Sequence, residues 1–189
     1  MKIGFFGGAF NPPTIAHLNL AKQAIAEYAL DKFYFVPVNN YYGKQDLIDF
    51  DIRCEMLEII CKDDKKLFVS KIENKQNRKF AAIDIFKIIE KKYKNENIFF
   101  IMGEDNYEKM PSWKNYDELM KYNYIVLQRT SNKQLHINEK NISYMKNNEN
   151  LKISSTLIRN KLNNGESINK YVTKEIGEYI IKNNLYIKR

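Results

Sequence analysis

Residues 2–17, KIGFFGGAFNPPTIAH, carry the strongest structural signal in the chain. A short apolar run ends at two adjacent glycines, and a helical pattern begins after two prolines, near Thr14 or Ala16. Glycines at a strand-to-helix turn let backbone approach a ligand, and the helix N-terminus offers amide N–H groups to an anion. The stretch therefore predicts a phosphate-binding turn, with Thr14 and His17 on one face of the first helical turn. On these residues alone, an ordinary turn with an incidental histidine explains the pattern equally well.

Strand-like and helix-like segments alternate along the rest of the chain. We predict further strands at residues 33–38, 67–70, 98–102, 124–127 and 151–153, and further helices around residues 52–59, 80–93 and from about 173. This alternation predicts right-handed crossovers and a doubly wound parallel α/β sheet in one domain, residues 1–189. Ligands bind such a sheet beyond the carboxyl ends of its strands. The Asn/Lys-rich residues 131–150, which include His136, are interpreted as a mobile surface excursion.

Composition excludes several classes of protein. The 189 residues are 44% hydrophobic and 29% charged, which excludes a disordered or collagen-like chain. No apolar run approaches the roughly 20 residues of a membrane helix, and the N-terminus lacks the pattern of a signal peptide, so we expect a cytoplasmic protein. The net charge of +8 comes from scattered side chains, which argues against a nucleic-acid partner. Cys54 and Cys61 have no zinc-site spacing and are expected to be reduced.

A second candidate anion site lies late in the chain. Ser154, Ser155 and Thr156 begin a predicted helix directly after a predicted strand, and Arg159 follows Ser155 by four residues on the same helix face. Hydroxyl groups, amide N–H groups and a guanidinium would then converge on one point, as a β- or γ-phosphate requires. The alternative is simple capping by Ser154 next to a surface arginine.

Taken together, the two sites resemble the nucleotidyltransferases, and more narrowly the nicotinate/nicotinamide mononucleotide adenylyltransferases. Residues 153–159, ISSTLIR, match the late motif of that family in full. Residues 7–12, GGAFNP, with Thr14 and His17, match the early motif, although Ala16 stands where the family usually has glycine. Further blocks at residues 37–48 with Arg53, 103–113 and 171–186 extend the resemblance over essentially the whole chain.

The resemblance implies a Rossmann-like fold of the nucleotidyltransferase type with a C-terminal helical segment. It also implies transfer of the adenylyl group of ATP to a pyridine mononucleotide, with Mg²⁺ bound through the ATP phosphates and no dedicated set of protein ligands. The implied catalytic residues are His17 at the α-phosphate, Thr14 beside it, and Arg159 at the β- and γ-phosphates. ATP would also contact Gly8, Ala9, Phe10, Ser154 and Ser155. The mononucleotide would contact Asn39, Tyr42, Lys44, Asp105 and Trp113.

Two alternatives and two further questions stay open at this point. Another adenylyl- or cytidylyltransferase, such as one acting on phosphopantetheine, shares the Thr-x-x-His and Ser-Ser features. A more remote alternative is a non-catalytic nucleotide- or RNA-binding protein. Ile72 and Ala82 replace a tryptophan and a threonine that are frequent in the family, so the preference for the acid or the amide mononucleotide is undecided. The sequence does not distinguish a monomer from a homo-oligomer.

Overall fold

The computed structural model describes residues 1–43, 46–75, 78–128, 140–146 and 153–187. Its strands are β1 (Lys2–Gly8), β2 (Lys32–Pro37), β3 (Leu67–Val69), β4 (Asn97–Gly103), β5 (Asn123–Gln128) and β6 (Ile142–Lys146). Its helices are α1 (Ile15–Tyr28), α2 (Phe50–Cys61), α3 (Ala82–Lys92), α4 (Glu104–Lys109), α5 (Tyr116–Leu119), α6 (Ser155–Asn163) and α7 (Lys174–Lys182). Short 3₁₀ turns cover Asn40–Tyr42, Ile72–Lys75 and Met110–Ser112.

The six strands form one parallel sheet in the order β3-β2-β1-β4-β5-β6. The chain first winds outward from β1 to β3 and then returns to the other side of β1 with β4. The strand order therefore reverses between β1 and β4, which is where ligands bind in open α/β sheets. This arrangement confirms the predicted doubly wound fold and places Gly8 and Gly103, the last residues of the two strands, at the crevice.

The sheet is buried on both faces because neighbouring residues of each strand point to opposite sides. Phe6 belongs to one apolar cluster, which also contains Phe35 and residues of α1, α2, α6 and α7. Phe5 belongs to the other, with Phe100 and residues of α3. The apolar run in β1 therefore supplies both layers of the core.

One sequence prediction is wrong, and it concerns the edge of the sheet. The stretch interpreted as a surface excursion contains β6, which pairs with β5 and buries Met145 completely. The signal was weak because Met145 is the single fully buried residue of a polar edge strand. The strand expected at 151–153 falls largely outside the described residues, and Ile153 belongs to neither a strand nor a helix. His136 also lies outside the described part of the chain.

Two expectations from composition can be compared with the described residues. Cys54 and Cys61 are unbridged and buried on α2, where burial raises the pKa of each thiol to about 12. Among the described residues, no helix has the length and apolar character needed to cross a bilayer.

Candidate active site

The turn after β1 is tight, and its geometry explains the glycine at its start. A Cβ atom on Gly8 would lie 2.8 Å from the ring of Phe10. Phe10 itself has a φ of 47°, in the left-handed region, and its ring packs edge-on against Phe35 and His17. The turn is further fixed by the Gly8 carbonyl, which accepts a hydrogen bond of 3.0 Å from the Val38 amide. Only glycine leaves room for Phe10 to fold back under the turn.

Thr14 and His17 form a reciprocal cap at the start of α1. The Thr14 amide donates to His17 Nδ1 at 2.9 Å, and the His17 amide donates to Thr14 Oγ1 at 3.3 Å. Because Nδ1 accepts this bond, the proton of the neutral ring is on Nε2. Burial lowers the pKa of His17 to about 4. His17 is therefore a neutral N–H donor at physiological pH.

The first amides of α1 are less open to an anion than the sequence suggested. The Ile15 amide donates to the Tyr171 carbonyl at 2.9 Å, and those of Thr14 and His17 are used in the cap. These three donors are already satisfied within the protein, so side chains must supply much of the charge stabilisation at this site.

Helix α6 is docked directly onto the turn. Ser155 Oγ donates to the Pro12 carbonyl at 2.7 Å, and Arg159 Nη1 donates to the Asn11 carbonyl at 2.9 Å. Folding thus brings Arg159 to residues 11–14, the same segment whose Thr14 holds His17. His17 and Arg159, which are 142 positions apart in the sequence, thus both contact residues 11–14.

The hydroxyl groups of α6 serve this docking in the described structure. Ser154 caps the helix by accepting from the Leu157 amide at 3.1 Å. Ser155 has a single hydroxyl proton, and that proton goes to Pro12. Arg159 differs, because its contacts with Asn11 and with Thr156 Oγ1 use two of the five guanidinium N–H groups. Of the predicted phosphate ligands on α6, Arg159 retains the greatest capacity to donate.

Asn11 connects the turn to three other parts of the chain. Its Nδ2 donates to the Asp46 carbonyl at 2.7 Å, and its Oδ1 accepts from the Ile48 amide at 3.3 Å and from the Tyr186 hydroxyl at 2.9 Å. With the bond from Arg159 to its carbonyl, this 4% exposed residue is a buried polar junction.

Arg53 is a second junction. It is fully buried and donates to the Ala9 carbonyl at 2.9 Å, to the Ile48 carbonyl at 2.9 Å and to Asn40 Oδ1 at 3.2 Å. Burial lowers its pKa. The family resemblance includes Arg53, in the helix after the substrate loop, but assigns it no role of its own, and an arginine in a helix is usually exposed. Nothing local in the sequence marks this one as buried.

A cavity of about 630 Å³ opens beside the turn. Gly8 and Ala9 form part of its wall, and the half-buried ring of Trp113 forms another part. The inner wall is apolar and includes residues of β4 and α3, whereas Lys79, Lys109 and Lys114 contribute cationic groups. An apolar cavity with a few polar groups is typical of a binding site for a small organic molecule.

The remaining predicted substrate residues differ in their placement. Tyr42 lines the cavity with its ring 5.4 Å from Lys79 Nζ, whereas Asp105 is exposed in the first turn of α4. Asn39 is buried, and its amide group donates to the carbonyls of Glu73 at 3.2 Å and Arg78 at 2.7 Å. Lys44 lies outside the described residues.

Glu73 also lines the cavity and was not predicted as a site residue. Oε2 of Glu73 accepts a hydrogen bond from the backbone N–H of Asn39 at 3.1 Å. Burial raises the pKa of the Glu73 carboxyl group to about 7. Within the described ranges, no three His, Cys, Asp or Glu side chains come together as a metal site.

Comparisons with known proteins agree with this geometry. The family model "Cytidylyltransferase-like" matches residues 5–161. A probable nicotinate-nucleotide adenylyltransferase of Fusobacterium nucleatum is 36% identical over 96% of this chain and 98% of its own length. The nicotinate-nucleotide adenylyltransferase of Bacillus subtilis is 26% identical over 98% of both chains.

A solved structure shows the same fold. The nicotinic acid mononucleotide adenylyltransferase of Plasmodium falciparum, in complex with NaAD, superimposes with a TM-score of 0.84 at 24% identity, covering 98% of this chain and 97% of that one. The early turn, the docked α6 and this order of strands thus occur in a chain that is similar to proteins named nicotinate-nucleotide adenylyltransferases. The chain belongs to the cytidylyltransferase-like family and, within it, to the nicotinate-nucleotide adenylyltransferases, which are nucleotidyltransferases.

Proposed function

We propose that this protein joins ATP and nicotinate mononucleotide to form nicotinate adenine dinucleotide and pyrophosphate, a step of NAD biosynthesis. The observation that carries the proposal is the attachment of His17 and Arg159 to residues 11–14, next to the cavity lined by Trp113. The names of the relatives support the choice of substrates.

The reaction needs no nucleophile from the protein. An oxygen of the mononucleotide 5′-phosphate attacks the α-phosphorus of ATP, and the bond from that phosphorus to the oxygen bridging to the β-phosphate breaks. Pyrophosphate leaves with the electron pair. The protein contributes positioning and stabilisation of the charge that develops on the phosphoryl oxygens.

In this proposal His17 donates from Nε2 to an α-phosphate oxygen. Thr14 orients the ring through Nδ1 and places its own hydroxyl beside the same phosphate. A neutral donor suits this task because it keeps its proton throughout the reaction. Backbone of Gly8, Ala9 and Phe10 approaches the nucleotide closely because the turn carries no side chain at Gly8.

Arg159 holds the leaving β- and γ-phosphates with the N–H groups that Asn11 and Thr156 do not use. We assign Ser154 and Ser155 supporting roles in the ATP site, since one caps α6 and the other ties it to Pro12.

The mononucleotide occupies the cavity of about 630 Å³. Trp113 stacks on the pyridine ring, Lys44 neutralises the attacking phosphate, and Asp105 accepts from the ribose. Tyr42 closes over the substrate from the loop after β2. Asn39 orders that loop through its own hydrogen bonds, which is how it acts on the substrate.

The groups assigned to the phosphates are hydroxyl, imidazole, guanidinium and backbone groups, and none of them is a carboxylate. This donor set fits an Mg²⁺ ion that is held by the phosphate oxygens of ATP and by water, as Mg²⁺ commonly is. Such an ion supplies neutralisation of negative charge on the triphosphate. We also propose the cytoplasm as the compartment, with which the free thiols of Cys54 and Cys61 are compatible.

Release of pyrophosphate tests the proposal. The purified protein is incubated with ATP, Mg²⁺ and, separately, nicotinate mononucleotide, nicotinamide mononucleotide or phosphopantetheine. We expect the fastest release with nicotinate mononucleotide, whose carboxylate meets the lysine groups of the cavity. Release with phosphopantetheine alone would contradict the assignment. No release with any acceptor, together with steeply salt-dependent RNA binding, would favour the non-catalytic alternative.

A further inference from the structure

The segment that follows α7 returns to the turn after β1. Tyr186, four residues beyond Lys182, the last residue of α7, donates from its hydroxyl to Asn11 Oδ1 at 2.9 Å. Its backbone has a φ of 64°, in the left-handed region that a bulky residue rarely adopts. A bulky residue keeps this backbone conformation only when its surroundings hold it in place. Here the Tyr186 side chain packs against the apolar cluster that contains Phe6 and Phe35.

Asn11 is the link between Tyr186 and Arg159. The Tyr186 hydroxyl contacts the side chain of Asn11, and Arg159 Nη1 contacts the carbonyl of the same residue. Burial raises the pKa of the Tyr186 hydroxyl, and the charges of Arg159 and Arg53, which lower this pKa, have a smaller effect. The hydroxyl therefore stays protonated and remains a donor. Asn11 is therefore bound by Tyr186 at its side chain and by Arg159 at its carbonyl.

We infer that Tyr186 is a positioning residue for ATP: by holding Asn11, it aligns Arg159 with the β- and γ-phosphates. This inference rests on the proposed function, since it takes the ligand of Arg159 to be the triphosphate. It assigns the segment after α7 a role in nucleotide binding although no atom of Tyr186 touches the nucleotide.

Replacement of Tyr186 by phenylalanine tests the inference, because it removes the hydroxyl and keeps the ring. Affinity is measured by calorimetry with a non-hydrolysable ATP analogue, and the KM values for ATP and nicotinate mononucleotide are measured separately. We expect Y186F to weaken analogue binding by about 3- to 10-fold, as loss of a single hydrogen bond does. The KM for ATP rises in parallel, while the KM for the mononucleotide stays within about 2-fold.

Tyr179 on α7 provides the matched control. The Tyr179 hydroxyl donates to Glu55 on α2, and within the described residues it makes no hydrogen bond to the turn after β1. We expect Y179F to bind the ATP analogue within about 2-fold of the wild type. Thermal unfolding of both variants is followed in parallel, and binding is compared at a temperature where both are folded.

A double-mutant cycle tests the route through Arg159. If Tyr186 acts by aligning that guanidinium, Y186F weakens analogue binding by less than about 2-fold when Arg159 is already methionine. Equal effects of Y186F in both backgrounds, or no effect in the wild-type background, would overturn the inference. A wild-type protein that does not bind the analogue would instead refute the proposed function, and the inference with it.

Discussion

In the proposed mechanism His17 acts as a neutral hydrogen-bond donor, and its neutrality has its cause in the first turn of its own helix. The ring is held through Nδ1 by the Thr14 amide, and its partial burial against Phe10 disfavours the charged form. The ring therefore stays neutral around pH 7, with its proton on Nε2.

The first prediction concerns this donor. We expect H17A to lower kcat by about 10²- to 10⁴-fold, the effect of removing a transition-state hydrogen-bond donor. The KM for the mononucleotide should change little, because His17 does not line the cavity assigned to it. Steady-state kinetics and circular dichroism check the loss of turnover and the retention of fold. Turnover close to that of the wild type would exclude the assigned role.

The second prediction compares two neighbouring glycines. In G8A the new methyl group meets the Phe10 ring at 2.8 Å, whereas nothing lies within 4 Å of a methyl group on Gly7. We expect G8A to lower the free energy of unfolding by about 1–3 kcal/mol. G7A, the matched control, should change it by less than about 0.5 kcal/mol. Urea denaturation measures both, and equal losses would show that the ring moves aside.

At the residue level, the sequence predicted the side chains that stand in local motifs. Thr14 and His17 could be singled out as candidates because they follow a strand-to-helix turn, and Arg159 because it lies one turn into the helix that Ser154 caps. The contacts of Asn11 and Arg53 could not, since they depend on partners up to 175 positions away. Local sequence patterns depend on residues that are close in the chain, whereas the contacts of these two side chains depend on tertiary packing.

Among the elements, α2 has a task beyond covering the sheet. Through Arg53 it holds the carbonyl of Ala9 in the turn and the carbonyl of Ile48 in the loop before the helix. One buried side chain thus fixes the spacing between the turn after β1 and the loop before α2.

The third prediction follows from this bridge. R53M leaves the Ala9 and Ile48 carbonyls without their donor, and each buried acceptor without a partner costs about 1–3 kcal/mol. We expect the free energy of unfolding to fall by about 2–4 kcal/mol. The control is R78M, because the exposed ion pair from Arg78 to Asp84 should contribute less than about 1 kcal/mol. Denaturant titration of both variants checks this; equal losses would show that the burial of Arg53 has no energetic weight.

Long apolar elements were predictable, and weakly apolar ones were not. The runs in β1, β2, β4 and β5 are confirmed within one or two residues, as are the starts of α1 and α7. Strand β6 was not predicted because backbone hydrogen bonds to β5 hold it in place, and such bonds leave almost no pattern in the side chains. An edge strand is specified by what lies beside it.

For the whole molecule, two buried titratable groups oppose each other. The folded protein keeps His17 neutral with a pKa of about 4 instead of 6.5, so unfolding takes up a proton between these values and stability rises with pH. It keeps Glu73 protonated up to a pKa of about 7 instead of 4.5, so unfolding releases a proton and stability falls with pH. Between about pH 4.5 and 6.5 the two contributions nearly cancel.

The fourth prediction exposes this compensation. E73Q retains an oxygen acceptor for the Asn39 amide and removes one of the opposing terms. We expect its free energy of unfolding to rise by about 2–3 kcal/mol from pH 4.5 to 6.5, while the wild-type value changes much less. Denaturant titrations across this range measure both. E58Q, on the exposed side of α2, is the control and should keep the wild-type profile. A flat profile for E73Q would contradict the opposition.

The contact between residues 11 and 186 has a consequence for biosynthesis. The turn emerges early from the ribosome, but the carbonyl of Asn11 waits for Arg159 and its side chain waits for Tyr186. Secondary structure and much of the sheet can form during translation, whereas the inference above makes full nucleotide affinity depend on residue 186 as well. If Tyr186 aligns Arg159 as inferred, ATP binds a chain that includes residue 186 more tightly than a shorter one and stabilises it more.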